Sequence, residues 1–160
     1  MRKITNAYNS IPGYQCFGCS QKNSIGLKME FYEDGEEIVC FWNPEERFQG
    51  FHDTLHGGVI STLMDEMMFW TVAIILKTSG VTSKLEVKFS KPVSVSKDKL
   101  TMRARIVNVR RNLAELEAIM YNQDNVICAS AKSVFFTFSP EISKEKFYYP
   151  GIENFFVENN

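Results

Sequence analysis

The sequence predicts an α+β domain in which an antiparallel β-sheet wraps around one long, buried helix. Three observations lead to this fold class: an apolar stretch at residues 56–77, four runs of alternating polarity between residues 81 and 138, and two short β-prone runs before residue 43. A helix that is apolar on nearly every side must be covered all round, and the strands are the elements left to cover it.

Size and charge narrow the range of functions. The 160 residues correspond to one domain, residues 1–160, and an apolar content of 44% is enough for a single core. The charges nearly balance, with 18 Lys and Arg against 19 Asp and Glu. A chain without excess positive charge lacks the field that non-specific binding to nucleic acid or anionic membranes requires, so we expect no nucleic-acid partner.

The start of the chain and its cysteines indicate the compartment. Residues 1–15 contain basic side chains without an apolar segment behind them, which is unlike a secretory signal. A chain that can build a large core does not need disulfides, so we expect reduced thiols at Cys16, Cys19, Cys40 and Cys128. The prediction is a cytoplasmic protein.

The pair Cys16 and Cys19 has C-x-x-C spacing, which raises the question of a metal site. Structural zinc takes four ligands, and no second C-x-x-C or H-x₃-H motif follows in the sequence. Neither cysteine has a flanking base of the kind that a catalytic Cys–His pair needs. We therefore expect no bound metal.

The first predicted element is a hairpin. Residues 1–15 show no periodicity and form an irregular lead-in. Residues 27–31 and 36–42 are β-prone, and turn residues 33–35 separate them. A polar loop at residues 45–55 follows.

Residues 56–77 predict the central helix because they contain no proline and, beyond Gly58, no glycine. At ~1.5 Å per residue this helix would be roughly 30 Å long. A membrane span is the alternative, but the stretch is short for a bilayer and carries the adjacent acids Asp65 and Glu66 near its first third. We expect a buried helix and no membrane span.

Four long strands are predicted after the helix, because apolar and polar residues alternate at 81–90, 100–106, 114–121 and 126–138. We expect them to pair as antiparallel neighbours. The tail that follows, residues 141–160, is rich in aromatic residues and is expected to pack on an outer surface or on a partner.

Asp65 is the residue that most needs a functional explanation. Burying an unpaired carboxylate costs several kcal/mol, so its presence in this helix requires a compensating partner or a role. The alternative is that Asp65 lies at a helix edge facing solvent, or bonds to Ser61 or Thr62 one turn back. Glu66 points about 100° away around the helix and is expected to be the solvated acid of the two.

The second feature is the segment Leu55-His56-Gly57-Gly58 at the start of the predicted helix. Glycines let a ligand come close to backbone N–H groups that have no partner within the helix, and these groups lie at the positive end of the helix dipole. They could polarise a carbonyl, as an acyl-transfer site must. The alternative is a plain glycine-rich helix entry, with His56 as a cap or a buried core residue.

Together these two features resemble the HGG…D signature of hotdog-fold acyl-CoA thioesterases, in the branch similar to phenylacetyl-CoA thioesterases. The upstream segment is similar to the C-x-x-C…N-x-x-G-L lead-in of many members, and the resemblance covers about residues 16–139. It therefore implies the hotdog fold, with the sheet around the helix. The residues that carry the resemblance are His56-Gly57-Gly58, Leu63, Asp65-Glu66, Cys16-Phe17-Gly18-Cys19, Asn23, Gly26-Leu27, and the strand 81–89 with Pro92.

The resemblance implies a role for each matching residue. Asp65 would be the nucleophile or the general base that activates water against the thioester. The Gly57 N–H would hold the thioester carbonyl, with His56 nearby. Gln49 would position the water or the carbonyl, and Thr82 would support the water or the carboxylate.

The loop between Gln49 and His56 departs from the small Pro/Gly turn of many members. It reads Gly-Phe-His-Asp-Thr-Leu. We therefore expect His52 and Asp53 to be additional polar groups near the pocket.

In this family the site lies between subunits, with the carboxylate of one facing the HGG turn of the other. The resemblance therefore implies self-association, as a homodimer or a dimer of dimers. The implied ligand is an acyl-CoA. No cofactor is expected, because coenzyme A is part of the substrate.

Basic and apolar residues are candidates for binding the two ends of an acyl-CoA. Arg110 and Arg111, at a predicted turn, could bind the CoA phosphates, with Lys88 and Lys91 as alternatives. A turn that is simply solvated is the other interpretation of the arginines. Gly58 would let the substrate approach the helix start. The methionines that could line the acyl tunnel, or belong only to the core, are Met64, Met67 and Met68.

Two other functions remain open at this point. A non-catalytic hotdog module that binds acyl-CoA or a lipid would not need Asp65. Hydration of an enoyl thioester fits less well, because hotdog dehydratases use a different Asp/His arrangement. The predicted function is hydrolysis of a fatty or aromatic acyl-CoA to the free acid and CoA.

Overall fold

The computed structural model describes residues 1–156, which form one antiparallel sheet curled around a long helix. The strands and helices are β1 (Arg2–Ile4), β2 (Phe31–Asp34), β3 (Glu37–Trp42), α1 (Gly57–Ile75), β4 (Gly80–Phe89), β5 (Leu100–Arg110), β6 (Leu113–Tyr121), β7 (Ile127–Thr137) and α2 (Pro140–Phe147). All neighbouring strands are antiparallel, in the order β1-β2-β3-β5-β6-β7-β4. The predicted fold class, with its sheet around a helix, is confirmed.

The helix α1 forms where the sequence predicted it, with bounds at Gly57 and Ile75. His56 caps its start, because the imidazole Nδ1 accepts a hydrogen bond from the Gly58 N–H at 2.8 Å. Strands β3 to β7 all contact the helix. By length and hydropathy α1 could cross a membrane, but in this structure it is the central helix and is packed against five strands.

The four long strands after the helix are confirmed, and β5, β6 and β7 pair in chain order as the predicted meander. The expected pairing of β4 with β5 is wrong, because β3 occupies that side of β5, and β4 pairs with β7 at one edge of the sheet. Among the described residues β4 pairs with β7 alone. Its apolar residues Val81 and Phe89 are 43% and 54% exposed. A long edge strand with exposed apolar residues offers unpaired backbone groups to another strand.

The prediction of an irregular N-terminal lead-in is wrong. Residues Arg2–Ile4 form β1 and pair with β2, and Tyr8 is buried in the core. The Thr5 N–H donates to the Phe155 carbonyl at 2.8 Å, so the two ends of the described chain meet. A strand of three residues is too short to produce a detectable alternation, which is why the sequence did not reveal it.

The first hairpin is confirmed, but its first strand begins at Phe31 instead of covering residues 27–31. The Leu27 and Met29 N–H groups donate to the carbonyls of Phe17 and Gly18 at 2.8 and 2.9 Å. Their hydrogen bonds therefore go to an upstream turn and not to a neighbouring strand. This contact fixes residues 16–19 in place.

The aromatic tail packs on its own chain and not on an outer surface or a partner, which corrects the prediction for its described part. The Tyr149 hydroxyl donates to the Ala73 carbonyl near the end of α1 at 2.8 Å, and Phe155 is completely buried. The tail also contains α2, whose start is capped by the Ser139 hydroxyl. Residues 157–160 of the predicted tail lie outside the described residues.

Candidate active site

Asp65 contacts Thr82, which lies 17 residues further along the chain. The family resemblance implied that Thr82 supports the water or this carboxylate. The Thr82 hydroxyl donates to Asp65 Oδ1 at 2.7 Å. The pairing of β4 with β7 shifts register between Thr82 and Lys84, which marks a β-bulge next to this contact. Ser61 and Thr62 instead donate to the carbonyls of the preceding turn, so the alternative partners proposed for Asp65 do not contact it.

The surroundings of Asp65 alter its acidity in two opposite ways. Burial raises the pKa of the Asp65 carboxyl, and the hydrogen bond from Thr82 partly lowers it again. The net pKa is above the ordinary aspartate value. A carboxylate of raised pKa is a better proton acceptor, which suits the activation of a water molecule.

At the start of α1, the backbone N–H groups of Gly57 and Gly58 differ in whether they have a hydrogen-bond acceptor. The Gly58 N–H is bound to His56, so it is not available to a ligand. That Gly58 lets a substrate come close to the helix start stays a prediction. Among residues 1–156, the Gly57 N–H has no acceptor. It lies beside an open cavity of about 570 Å³ whose lining also includes Gln49, Gly50 and His56. Gly57 is therefore the free donor of this turn.

Gln49 lines this same cavity, as expected, but its amide oxygen accepts the Asp53 N–H at 2.9 Å. The Asp53 carboxylate binds the Ser94 hydroxyl and the Ser96 N–H at 2.8 and 3.0 Å. The hydroxyls of Ser96 and Ser94 lower the pKa of Asp53, and the Ser96 N–H adds to this effect. Asp53 thus anchors the loop to the turn before β5. It and His52 lie next to the lining residues Phe51 and Thr54, so both are near the cavity as predicted, but neither side chain lines it.

Asp65 and Gly57 do not form one site within a single chain. They are eight residues apart on α1, which corresponds to ~12 Å along the axis. Gly57 lies instead near Phe89, at the end of β4 opposite Thr82: a Cβ on Gly57 would lie 3.5 Å from the Phe89 ring. Within one chain, the Asp65 carboxylate therefore lies beside the Thr82 end of β4, and the free Gly57 N–H lies beside the Phe89 end.

An apolar groove lies one helical turn beyond Asp65. Phe69 faces it from α1, and the groove, with a volume of about 420 Å³, is closed on other sides by Tyr8, Tyr14 and Gly80. Gly80 is two residues before Thr82 on the same strand. The groove therefore lies near the Asp65–Thr82 pair, and the rings of Tyr8, Tyr14 and Phe69 form part of its lining.

Arg110 and Arg111 are exposed at the turn between β5 and β6. Thr82 and Val109 share one row of the sheet across β7 and β6, so Arg110 lies roughly 14 Å from Thr82 at ~4.8 Å per strand. Lys91 lines a smaller cavity beside Gly57, at the other end of β4.

The three methionines of α1 face the sheet. Met64, Met67 and Met68 are all completely buried. Met68 receives a hydrogen bond from the Ser133 hydroxyl of β7. The structure thus places these side chains in the core, the second of the two interpretations that the sequence left open.

Glu66 is not solvated, which corrects the prediction made for it. Its carboxylate accepts the Trp70 indole N–H at 3.2 Å and the Cys16 thiol at 3.5 Å. Burial raises the pKa of Glu66 to about 8. The segment that covers it, residues 14–20, lies far from α1 in the sequence, and a helical wheel cannot show which segment covers which face.

The family and the known structures that resemble this chain agree with this geometry. Residues 52–129 match the thioesterase superfamily, and this segment contains α1, β4, β5 and β6 together with His56, Gly57, Asp65 and Thr82. No curated protein matches the chain.

Solved structures share the fold at low sequence identity. A thioesterase superfamily protein aligns with a TM-score of 0.69 and 18% identity over 76% of this chain, which spans 62% of that protein's length. A Streptococcus mutans protein bound to acetyl CoA aligns with a TM-score of 0.66 and 18% identity, covering 81% of this chain and 97% of its own. The E. coli PaaI protein, from the phenylacetic acid degradation operon, aligns with a TM-score of 0.64 and 18% identity, covering 71% and 81%.

At these identities the solved structures establish the fold and no more. The chain has the hotdog fold, and residues 52–129, nearly half of its length, match the thioesterase superfamily.

Proposed function

We propose that the protein hydrolyses the thioester of an acyl-CoA, with Asp65 as its catalytic carboxylate. The observation that carries this proposal is the half-buried Asp65 carboxylate, held by the Thr82 hydroxyl at 2.7 Å on a helix that is otherwise built for burial. The acetyl CoA bound to the Streptococcus mutans structure supports coenzyme A as the carrier. The direct test is release of free thiol from a panel of short, long and aromatic acyl-CoA thioesters. Binding of these compounds without thiol release would favour a non-catalytic module.

The proposed chemistry uses one proton acceptor and one hydrogen-bond donor. Asp65 takes a proton from water as the oxygen attacks the thioester carbon, or attacks that carbon itself. The Gly57 N–H, at the positive end of the helix dipole, stabilises the negative charge that develops on the carbonyl oxygen. Collapse of the tetrahedral intermediate breaks the C–S bond, and the CoA thiolate leaves and takes up a proton. Where water attacked, this gives the free acid directly. Where Asp65 attacked, it gives an anhydride of the acyl group and Asp65, which water then hydrolyses to the free acid and the Asp65 carboxylate.

We further propose that each site is shared by two subunits that pair along their β4 edges. In an antiparallel pair of β4 strands, the Thr82 end of one strand meets the Phe89 end of the other. Gly57 lies beside Phe89, so this pairing brings the Asp65 of one subunit towards the Gly57 of its partner. The exposed apolar residues of the edge strand support this arrangement.

Mixing two inactive variants tests the shared site. If Asp65 and Gly57 come from different subunits, dimers that combine Asp65→Asn with Gly57→Pro contain one site with both residues intact. We expect an equal mixture, dissociated and reassembled, to recover about a quarter of the wild-type rate, because half of the dimers are mixed and one of their two sites works. No recovery, in mixtures shown to exchange subunits, would place both residues in the same chain.

Thr82→Val is expected to shift the pH dependence of the reaction. The Thr82 hydroxyl donates to the charged form of Asp65 and thereby lowers its pKa, so its removal should raise that pKa. Asp65 acts in its ionised form, so kcat/KM falls as the pH drops through this pKa. We therefore expect the acid limb of the kcat/KM profile to move to higher pH in Thr82→Val. An unmoved acid limb, equal to that of the control Thr101→Val on β5, would contradict the contact.

The aromatic groove beyond Asp65 is the proposed site of the acyl group. Its lining residues Phe69 and Gly80 lie four and two residues from Asp65 and Thr82, and its volume of about 420 Å³ is sufficient for a sizeable apolar group. Arg110, Arg111 and Lys91 remain the proposed contacts of the CoA phosphates, because all three are exposed. Lys91 lies just after β4, beside Gly57, and the two arginines lie at the turn between β5 and β6.

Two further proposals concern the cofactor requirement of the reaction and the compartment of the protein. No cofactor is proposed, since coenzyme A arrives with the substrate. The cytoplasm is the proposed compartment, and the free thiols of the four cysteines support it.

A further inference from the structure

A cluster of two thiols and one carboxylate lies on the side of α1 away from Asp65. We refer to Cys16, Cys19 and Glu66 as the thiol–carboxylate cluster. Their two Sγ atoms and one carboxylate oxygen all lie within 4.8 Å of one another. The cluster takes no part in the hydrolysis proposed above.

The three side chains are held together because the backbone turn at residues 16–19 lies close to Glu66 of α1. The turn at residues 16–19 is fixed by the hydrogen bonds from Leu27 and Met29. Its Gly18 faces the Glu66 carboxylate so closely that a Cβ at this position would lie 2.6 Å from the carboxylate carbon. A side chain at this position would displace the Glu66 carboxylate from its present place, so the turn and the carboxylate are closely packed.

Each member of the cluster also has a hydrogen-bond partner that orients it. The Trp70 indole N–H donates to Glu66 at 3.2 Å, and the Tyr14 hydroxyl lies 3.1 Å from the Cys19 sulfur. The Cys16 thiol donates to Glu66 Oε1 at 3.5 Å. Partners of this kind, which fix the direction of thiolates and carboxylates, are typical of the second layer of protein metal sites.

The cluster contains three acidic groups and lacks a positive charge. Cys19 is completely buried, and within residues 1–156 no lysine or arginine forms an ion pair with Glu66. Anionic groups that are buried without a counter-charge are costly, and they either keep their protons or gather around a cation. A divalent metal ion would supply the missing charge at the centre of the cluster.

We propose that Cys16, Cys19 and Glu66 bind a divalent transition metal, zinc in the first place. Tetrahedral zinc, with Zn–S of ~2.3 Å and Zn–O of ~2.0 Å, places sulfur and oxygen ligands about 3.5 Å apart. The Cys16 sulfur and Glu66 Oε1 are 3.5 Å apart. Three protein ligands leave a fourth position for water, and binding releases the protons of both thiols and of Glu66 wherever they are protonated. The ion would link the N-terminal turn to α1 one residue after Asp65.

Metal binding by the full chain, carrying no histidine tag, tests this proposal. Purified protein is reduced, stripped with a chelator, and titrated with Co²⁺ and then Zn²⁺ in competition with a chromophoric chelator. We expect about one metal ion per chain and the thiolate-to-cobalt charge-transfer absorption of a tetrahedral site. Cys16→Ser and Glu66→Gln should each weaken zinc binding at least about a hundredfold, more than the loss of a second-layer partner does.

Two matched variants separate the cluster from its surroundings. Asp65→Asn removes the neighbouring carboxylate of α1, and Cys128→Ser removes a thiol elsewhere in the core; both should bind zinc as the wild type does. Circular dichroism confirms that each variant is folded. A wild-type chain that retains no zinc, a Glu66→Gln variant with unchanged affinity, or a Cys16–Cys19 disulfide in freshly isolated metal-free protein would overturn the proposal. Thioesterase activity is not part of these readouts, so the two proposals fail independently.

Discussion

Asp65→Asn is expected to lower kcat/KM for acyl-CoA hydrolysis at least about a hundredfold. Asparagine has nearly the same shape and can still accept the hydrogen bond from Thr82, but it can neither take a proton from water nor attack a carbonyl. The folded state should be no less stable, because a neutral amide replaces a carboxylate whose charged form is disfavoured by burial. Free-thiol release measures the rate, and thermal unfolding measures the stability.

The matched control is Asp124→Asn, the same substitution on the exposed turn between β6 and β7. It should leave the rate unchanged. If Asp65→Asn hydrolyses the same acyl-CoA at the wild-type rate, Asp65 is not the catalytic carboxylate, and another group must activate the water.

Gly57→Pro is expected to lower kcat by about 10²–10³, the loss seen when a single oxyanion donor is removed. Proline lacks the backbone N–H that we assign to the thioester carbonyl. It is also a favourable residue at the first position of a helix. His56 has φ −62° and ψ 132°, an extended conformation that a following proline accepts. The variant should therefore fold while it loses the donor.

Gly57→Ala provides the control for this change, because alanine adds a Cβ but keeps the N–H. That Cβ would meet the Phe89 ring at 3.5 Å, an ordinary contact, so alanine should retain most of the activity. Equal rates for the proline and alanine variants would show that the Gly57 N–H is not a donor to the transition state.

Periodicity was sufficient to predict most of the fold, and the family resemblance was sufficient to predict the contact between Asp65 and Thr82. The central helix and four long strands repeat over enough residues for their patterns to be read, and the resemblance connected Asp65 to Thr82. The sequence could not show that Gly58 is occupied by His56, since that depends on the rotamer of one imidazole. It also could not show that Glu66 is covered, because the covering turn is an aperiodic segment some fifty residues upstream.

The same limit explains the misassigned ends of the chain. The N-terminal strand has three residues, and the tail has aromatic residues without a period, so neither gives a regular pattern. Both are nevertheless part of the core, through Tyr8, Tyr149 and Phe155. Composition indicated that these aromatic residues would be buried, but not which surface would bury them.

The hydrogen bond between Thr5 and Phe155 makes the described chain nearly a closed ring. The Arg2 guanidinium also lies 3.5 Å above the centre of the Phe156 ring, so the contact involves side chains as well as backbone. When residues near the two ends are in contact, the position at which the chain begins does not determine which strands are neighbours in the sheet. A polypeptide that began at an exposed loop, with its original ends joined, would keep the same neighbours for every strand, and circular permutants of this chain are therefore compatible with the native fold.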